Sequence, residues 1–193
     1  MAIKFEDHPF WDSACALYGR DGVSRAVIAL QDRHRLDVNI LLLCIWLGQS
    51  GRGALDAGAM AHALAVSDSW NPEIVCGLRA LRIRLRNGLA PVPRALSDAV
   101  RKRILAVEIE AEHAEQLALV GGLAASEDGA RPTEARLADC IDSLSRYLAA
   151  RRGAPAPADA DDLAIVLTAA FPELAADGIR ARCAAAFAPT GGA

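Results

Sequence analysis

One uninterrupted apolar stretch limits what this chain can fold into. Every residue from Ile40 to Leu47 is apolar, and Asp37 and Asn39 are the polar side chains closest to its start. The Asp37 carboxylate is suited to accept the free backbone N–H groups of a first helical turn, which predicts a helix that begins directly after it. Because this helix is apolar on every side, we expect other helices to surround it. It is far shorter than the about 20 residues that a bilayer-spanning helix needs.

The composition of the chain favours helices over strands. Hydrophobic residues make up 53% of its 193 residues and aromatic residues only 5%, so Ala and Leu dominate the apolar positions. The net charge of −3 gives no general attraction to nucleic acid or anionic lipid. The N-terminal residues are acidic where a signal peptide would be basic, and the five cysteines form no CxxC pair. We therefore expect buried free thiols, a cytoplasmic location and no membrane association.

Apolar periodicity along the chain extends this prediction to the whole fold. An all-α architecture is predicted, a single-core bundle of about eight or nine helices with a small C-terminal helical hairpin. Residues 1–152 are interpreted as the helical core domain. Residues 153–193 are interpreted as a linker rich in Pro, Ala and Gly, followed by the accessory hairpin and a loose tail.

Local signals place individual helices. Asp7 is predicted to cap the first helix, and Asn71 with Pro72 to open a new one. A long helix is predicted from about Leu96 to Val120. The positions predicted to be buried on these last two helices are Val75, Leu78, Leu81 and Leu85 and then a seam of Val100, Ile104, Val107, Ala111, Ala114 and Ala118.

A polar cluster beside the apolar helix is the first candidate site. Gln31, Asp32, Asp37 and Asn39 flank this helix, and Trp46 lies within it. Together they could form a small polar pocket that binds a ligand. The alternative is structural, because Asp37 as a helix cap and the other polar groups as partners of buried backbone atoms explain the same residues. The second interpretation is preferred.

Three arginines form the second candidate site. Arg79, Arg82 and Arg86 recur at helical spacing on one face, which could bind a phosphate or an acidic partner. The following helix carries an acidic run that could instead pair with these arginines as a solvated network, and this interpretation is preferred. No aromatic residues interleave with the arginines, which disfavours nucleic-acid binding. The acidic run consists of Glu108, Glu110, Glu112 and Glu115.

No complete catalytic or metal-binding pattern is found in the sequence. Glu110 and His113 have the Glu-x-x-His spacing of helical di-iron sites, but a second such pair is missing. Nucleophile elbows, P-loops and dinucleotide-binding glycine patterns are missing as well. We therefore expect no cofactor, no metal and no catalytic residue, and an enzyme is the less favoured class.

The first 120 residues resemble a family of short, uncharacterised proteobacterial proteins. The resemblance implies a bacterial cytoplasmic origin, and the family supplies no activity and no functional residue. The residues that carry it are Phe10-Trp11, Ala16-Leu17-Tyr18, Gly22-Val23, Leu30-Gln31-Asp32 and Leu36-Asp37-Val38-Asn39-Ile40-Leu41-Leu42-Leu43-Cys44-Ile45-Trp46.

Two functions from different classes remain open on the sequence. The first is a non-catalytic interaction or regulatory protein, whose partner is another protein or a second copy of the chain. The second is a protein or enzyme that binds a small ligand in the helical core, with a small anionic ligand as one candidate. The residues expected to serve either function are Asp32, Asp37, Asn39, Trp46, Arg79, Arg82 and Arg86.

Overall fold

The prediction of an all-α fold is confirmed. The computed structural model describes residues 5–123, 130–151 and 156–187, and these ranges contain helices and connecting turns without a strand. A π-helical turn, Asn71–Val75, joins α4 to α5. In chain order the helices are α1 (Pro9–Tyr18), α2 (Val23–His34), α3 (Val38–Gln49), α4 (Ala57–Trp70), α5 (Cys76–Arg84), α6 (Arg94–Val120), α7 (Thr133–Arg151), α8 (Ala158–Ala170) and α9 (Ala176–Phe187).

The chain divides into two compact units. The core unit comprises residues 8–60 and 123–193, and the hairpin unit comprises residues 1–7 and 61–122. The predicted boundary after residue 152 lies outside the described residues, as do linker residues 153–155 and the predicted tail at 190–193. That boundary stays a prediction.

The core unit is built around α3. Its residues from Asn39 to Gly48 are all buried, as the apolar stretch predicted. Asp37 caps the helix as expected, since its Oδ1 accepts a 2.9 Å hydrogen bond from the N–H of Asn39. Helix α7 packs along α3 so closely that a Cβ atom added at Gly48 would lie 2.3 Å from Sγ of Cys140. Only glycine fits at this helix–helix contact.

A buried carboxylate joins α8 to α2 within the core unit. Asp159 is fully buried, and its Oδ1 accepts hydrogen bonds from Arg33 at 2.6 Å and from His34 at 2.8 Å. Its Oδ2 accepts the N–H of Ala156 at 2.9 Å. Burial alone would raise the pKa of Asp159, but the Ala156 N–H, His34 and Arg33 outweigh it and hold this pKa below its ordinary value. The carboxylate is therefore ionised at neutral pH and tied to both helices.

One local prediction about a helix cap is wrong. The cap of α1 is His8 rather than Asp7, because Nδ1 of His8 accepts the N–H of Phe10 at 3.1 Å. The long helix α6 runs from Arg94 to Val120, in agreement with the predicted range of about Leu96 to Val120.

The helix predicted to open at Asn71 and Pro72 instead continues from α4. Proline has no N–H, and its ring collides with the carbonyl group four residues earlier in a regular α-helix. Here the chain widens into a π-helical turn, in which the N–H of Cys76 bonds to the carbonyl oxygen of Asn71, five residues back. The wider turn keeps the helix continuous past a residue that would normally end it.

Replacement of Asp159 tests the joint between α2 and α8. We expect Asp159→Asn to lower the free energy of unfolding at pH 7 by about 2–4 kcal/mol, because Arg33 loses its buried counter-charge. The pKa of Asp159 is depressed in the folded state, so its stabilisation is present above the unfolded-state pKa and lost as pH falls through the folded-state pKa. Urea unfolding at pH 7 and at pH 3 measures both effects.

The exposed neighbour Asp161 provides the matched control for this experiment. Asp161→Asn removes the same charge from the same helical turn and is expected to change stability little. An equal loss for both variants, or a loss for Asp159→Asn that is as large at pH 3 as at pH 7, would contradict the assigned role of Asp159.

Removal of residues 153–193 tests the predicted accessory hairpin. Helix α8 contacts α2 and α9, and α9 also contacts α7, with fully buried Leu167 and Phe187. Each such side chain contributes about 1.5–3 kcal/mol of burial, so we expect a fall in Tm of more than about 10 °C. Thermal unfolding followed by circular dichroism measures it. If the shortened chain has no cooperative transition, α8 and α9 belong to the main core and the predicted boundary is wrong.

Candidate functional site

The residues predicted as a site fall into the two compact units. Asp32, Asp37, Asn39 and Trp46 belong to the core unit, whereas the three arginines belong to the hairpin unit. Each group is therefore described within its own unit.

Asp37 combines a helix cap with a buried tyrosine. The hydroxyl oxygen of Tyr147 accepts the backbone N–H of Asp37 at 2.8 Å, and the hydroxyl group lies 3.2 Å from the backbone carbonyl oxygen of Asp37, to which it donates. Burial is the main cause that raises the pKa of Tyr147 above its ordinary value. Oδ2 of Asp37 is buried and has no hydrogen-bond partner in the structure. The contacts of the other atoms fix the start of α3 against α7.

The remaining polar candidates of this group differ in environment. Asn39 is buried in the first turn of α3. Asp32 is exposed near the end of α2, where its carboxylate accepts a 3.2 Å hydrogen bond from Nε2 of Gln31. An exposed carboxylate on a helix end is solvated and lines no enclosed pocket by itself.

Trp46 is enclosed by rings and one guanidinium group. Its ring centroid lies 5.3 Å from that of Phe10 and 5.6 Å from that of His8. The Arg52 guanidinium carbon lies 4.4 Å above the Trp46 ring, which is a cation–π contact. These contacts hold Trp46 as an anchor between α3 and the start of α1.

Arg79 and Arg82 of α5 pair with carboxylates of α6, as the preferred interpretation predicted, but the carboxylate of Glu108 that they share is buried and not solvated. Arg79 donates from Nε to Oε1 of Glu108 at 3.0 Å and from NH2 to Glu112 at 2.8 Å. Arg82 donates from Nε to Oε2 of Glu108 at 2.5 Å. Burial raises the pKa of Glu108, but the hydrogen bonds from Arg82 and Arg79 outweigh it, so this pKa lies below its ordinary value. Arg86 is exposed beyond the end of α5.

These ion pairs also show the direction of α5 relative to α6. Arg79 lies at the level of Glu112 and Arg82 at the level of Glu108, so an increase in residue number on one helix matches a decrease on the other. The two helices are therefore antiparallel, and Glu108 marks the side of α6 that faces α5. The carboxylate of Glu108 is nearly enclosed, with 4% of its side chain exposed.

Replacement of Glu108 tests this network. We expect Glu108→Gln to lower the free energy of unfolding by about 1–3 kcal/mol, since Arg79 and Arg82 lose the carboxylate that both share. Chemical unfolding at pH 7 measures the change. The exposed carboxylate of Glu173 offers a control, and Glu173→Gln is expected to be neutral. Equal stability of Glu108→Gln and the unmodified chain would contradict a stabilising role for the network.

An exposed apolar surface on the hairpin unit was missed by the sequence analysis. Four large side chains are about half exposed, Leu81 at 54% and Leu96 at 59% being the most accessible, and the pattern predicted three of them, Leu81, Val100 and Val107, to be buried. No residue of α5 is fully buried. We call this surface the hairpin face, and it comprises Leu81 of α5 with Leu96, Val100 and Val107 of α6.

Helical geometry places these four residues on one side of the antiparallel pair formed by α5 and α6. At about 100° per residue, Leu96, Val100 and Val107 lie within one narrow stripe of α6, roughly a quarter turn from Glu108. Leu81 lies a similar quarter turn from Arg82 on α5. Because the helices are antiparallel, the same rotation away from their contact brings both stripes to the same side. The seam predicted to be buried on α6 is mostly not buried: among its six residues Ala111 is buried, whereas Val100, Val107 and Ala118 are exposed.

The described residues contain no group of three or more His, Cys, Asp or Glu side chains that could hold a metal ion. Within the same part of the chain, no helix has both the length and the apolar character to cross a bilayer. Three of the cysteines are buried, and burial raises the pKa of Cys183 to about 11. Its thiol is therefore protonated at neutral pH and a poor nucleophile.

Comparison with known proteins gives one family. The family described as "Protein of unknown function (DUF2390)" matches residues 9–119, which run from the first residue of α1 almost to the end of α6. No match was found among curated proteins or among solved structures. The matched region includes every residue predicted as a site.

Proposed function

The chain belongs to this family of proteins of unknown function, DUF2390, and we propose that it is a non-catalytic interaction or regulatory protein of the bacterial cytoplasm. The observation that carries this proposal is the hairpin face. Single exposed leucines are normal on protein surfaces, but several exposed apolar side chains on one side of a helix pair are typical of an interaction site. The proposed activity is therefore binding of another polypeptide.

The energetics of the hairpin favour this assignment. Each of two antiparallel helices contacts the other with one of its sides. An apolar stripe on a second side needs another layer of structure to cover it. Leu81, Leu96, Val100 and Val107 together would contribute several kcal/mol if a partner removed them from water, at about 25 cal/mol per Å² of apolar surface. A surface of this kind lowers solubility unless it is used, which supports a binding role.

The state of the charged groups supports a non-catalytic role. Glu108 and Asp159, the buried carboxylates with depressed pKa values, are held by arginine or histidine side chains. General acid or base catalysis needs a carboxylate or imidazole that is close to the substrate and has a pKa near the working pH. Carboxylates fixed in ion pairs with lowered pKa values are poorly suited to that work.

The alternative is a small-ligand site beside Asp37, and one atom favours it. Oδ2 of Asp37 is buried without a hydrogen-bond partner, a state that buried carboxylate oxygens rarely keep. A ligand with an N–H or O–H donor would satisfy it. The anion-binding version of this alternative is weaker, because Arg79 and Arg82 already donate to Glu108 and Glu112.

Mass spectrometry of small molecules released on denaturation distinguishes this alternative. If the ligand-site proposal holds, protein purified from its native cytoplasm releases a compound in a one-to-one ratio. Asp37→Ser, which keeps a helix-capping oxygen and removes Oδ2, would release none. Release of nothing from the unmodified chain favours the structural role of Asp37.

Co-purification tests the interaction proposal. We expect a tagged full-length chain, expressed in the cytoplasm of its native cell, to retain a polypeptide in stoichiometric amount. Leu81→Asp and Val107→Asp should lose at least about tenfold of that polypeptide, because a charge in the centre of an apolar contact costs more than 1.4 kcal/mol. Densitometry of the eluted proteins measures the loss.

Ile83 provides the matched control for this experiment. Its side chain is 48% exposed, close to the value for Leu81, and lies on the opposite side of the same helix. Ile83→Asp is expected to retain the polypeptide. A chain that retains no polypeptide, whether foreign or an untagged copy of itself, and that turns over a metabolite would overturn the proposal.

A further inference from the structure

We propose that the occupant of the hairpin face is a second copy of this chain, bound with its α6 antiparallel to the first α6 about a two-fold axis. This inference rests on the proposed function and adds the identity of the partner. The two hairpins would then form a four-helix bundle in which each supplies α5 and α6.

The first argument is the charge pattern at the border of the hairpin face. Arg103 and Glu110 lie on the same edge of the apolar stripe of α6, seven residues apart, and both are exposed. They lie nearly symmetrically about Val107. When two copies of α6 pack antiparallel with the axis beside residues 106 and 107, Arg103 of each copy lies opposite Glu110 of the other. One register therefore creates the same ion pair twice.

The other charged residues of α6 contribute little to this choice of register. Glu108 and Glu112 pair with Arg79 and Arg82 of the same chain, and Arg101 pairs with Asp98. The direction of packing therefore depends on Arg103 and Glu110, because antiparallel packing puts Arg103 of one copy opposite Glu110 of the other and parallel packing does not.

The sizes of the apolar side chains fit the same register. The stripe carries large residues in the N-terminal half of α6, Leu96 and Val100, and small ones in the C-terminal half, Ala114 and Ala118. The two-fold axis places Leu96 at the level of residue 117 in the second copy, between the two alanines. Large side chains then face small ones, as close helix packing requires.

The third argument is the exposure of α5. This helix has no fully buried residue, and the side chains of Leu81 and Ile83 are about half exposed. Packing of two hairpins face to face would cover Leu81 together with the α6 stripe. A two-fold interface of this kind is closed, so it ends at two copies and does not lead to filaments.

Charge reversal at Arg103 and Glu110 tests the proposal on the full-length chain. Sedimentation equilibrium is expected to show a dimer for the unmodified chain. Arg103→Glu places two glutamates opposite each other at both ends of the interface, and Glu110→Arg places two arginines there. Each single variant is expected to raise the dimer dissociation constant roughly tenfold or more, and the combined variant Arg103→Glu with Glu110→Arg is expected to restore it.

Lys102 is the matched control. It is exposed, adjacent to Arg103, and lies well away from the apolar stripe around α6. Lys102→Glu is therefore expected to leave the dissociation constant unchanged. Circular dichroism of each variant checks that the helices are kept, so that a loss of dimer reports the interface and not unfolding.

The outcomes separate this inference from the proposed function. A dimer that is weakened by both single reversals and restored by the combined one supports the antiparallel register. A monomer at high micromolar concentration, or single reversals without effect, or a combined variant that stays monomeric, overturns it. If the unmodified chain is a monomer but Leu81→Asp still loses a foreign polypeptide in the co-purification, the inference fails while the proposed function stands.

Discussion

The structure of the core unit depends on one constraint: a helix that is apolar on every side must be enclosed on every side. Helix α3 carries no polar stripe that could face water, so each of its sides has to be covered by another helix. Helices α1, α2, α7 and α8 supply these contacts. The polar contacts at its ends follow from the same requirement, because a buried helix start needs partners for its free N–H groups, and Asp37 with Tyr147 provides them.

The helices that enclose α3 come from distant parts of the chain, and their packing buries a charged side chain that needs a partner. Helix α8 starts with acidic residues that suit a helix N-terminus, but one of them, Asp159, is drawn out of water where α8 meets α2. A buried carboxylate without a partner would be costly, and Arg33 with His34 offsets that cost. The hairpin unit meets the same demand with Glu108 between two arginines. In both units, arginine holds the carboxylate that packing has buried.

The sequence predicted the features that depend on neighbouring residues. It did not predict the contacts that depend on residues far apart in the chain. The Asp37 cap and the enclosed α3 were predictable, because both follow from a pattern within about a dozen residues. The pairing of Asp159 with Arg33 was not, since 126 residues separate them and acidic residues at a helix start already had a local explanation. The seam on α6 was recognised, but periodicity identifies which residues share a side and not whether anything covers that side. The arginine network was predictable because opposite charges on consecutive helices leave few other partners.

The π-helical turn at Asn71–Val75 also sets the rotational phase of α5. One extra residue in a helix turns everything beyond it by about 100° relative to a regular α-helix. Loss of one residue from this turn would therefore leave α5 helical but rotate it about its own axis, which would carry Arg79 and Arg82 away from Glu108 and turn Leu81 off the hairpin face. The alignment of the ion pairs and of the apolar stripe in α5 thus depends on the number of residues in this π-helical turn. A relative of this chain that is one residue shorter there would need a different charge pattern on α6.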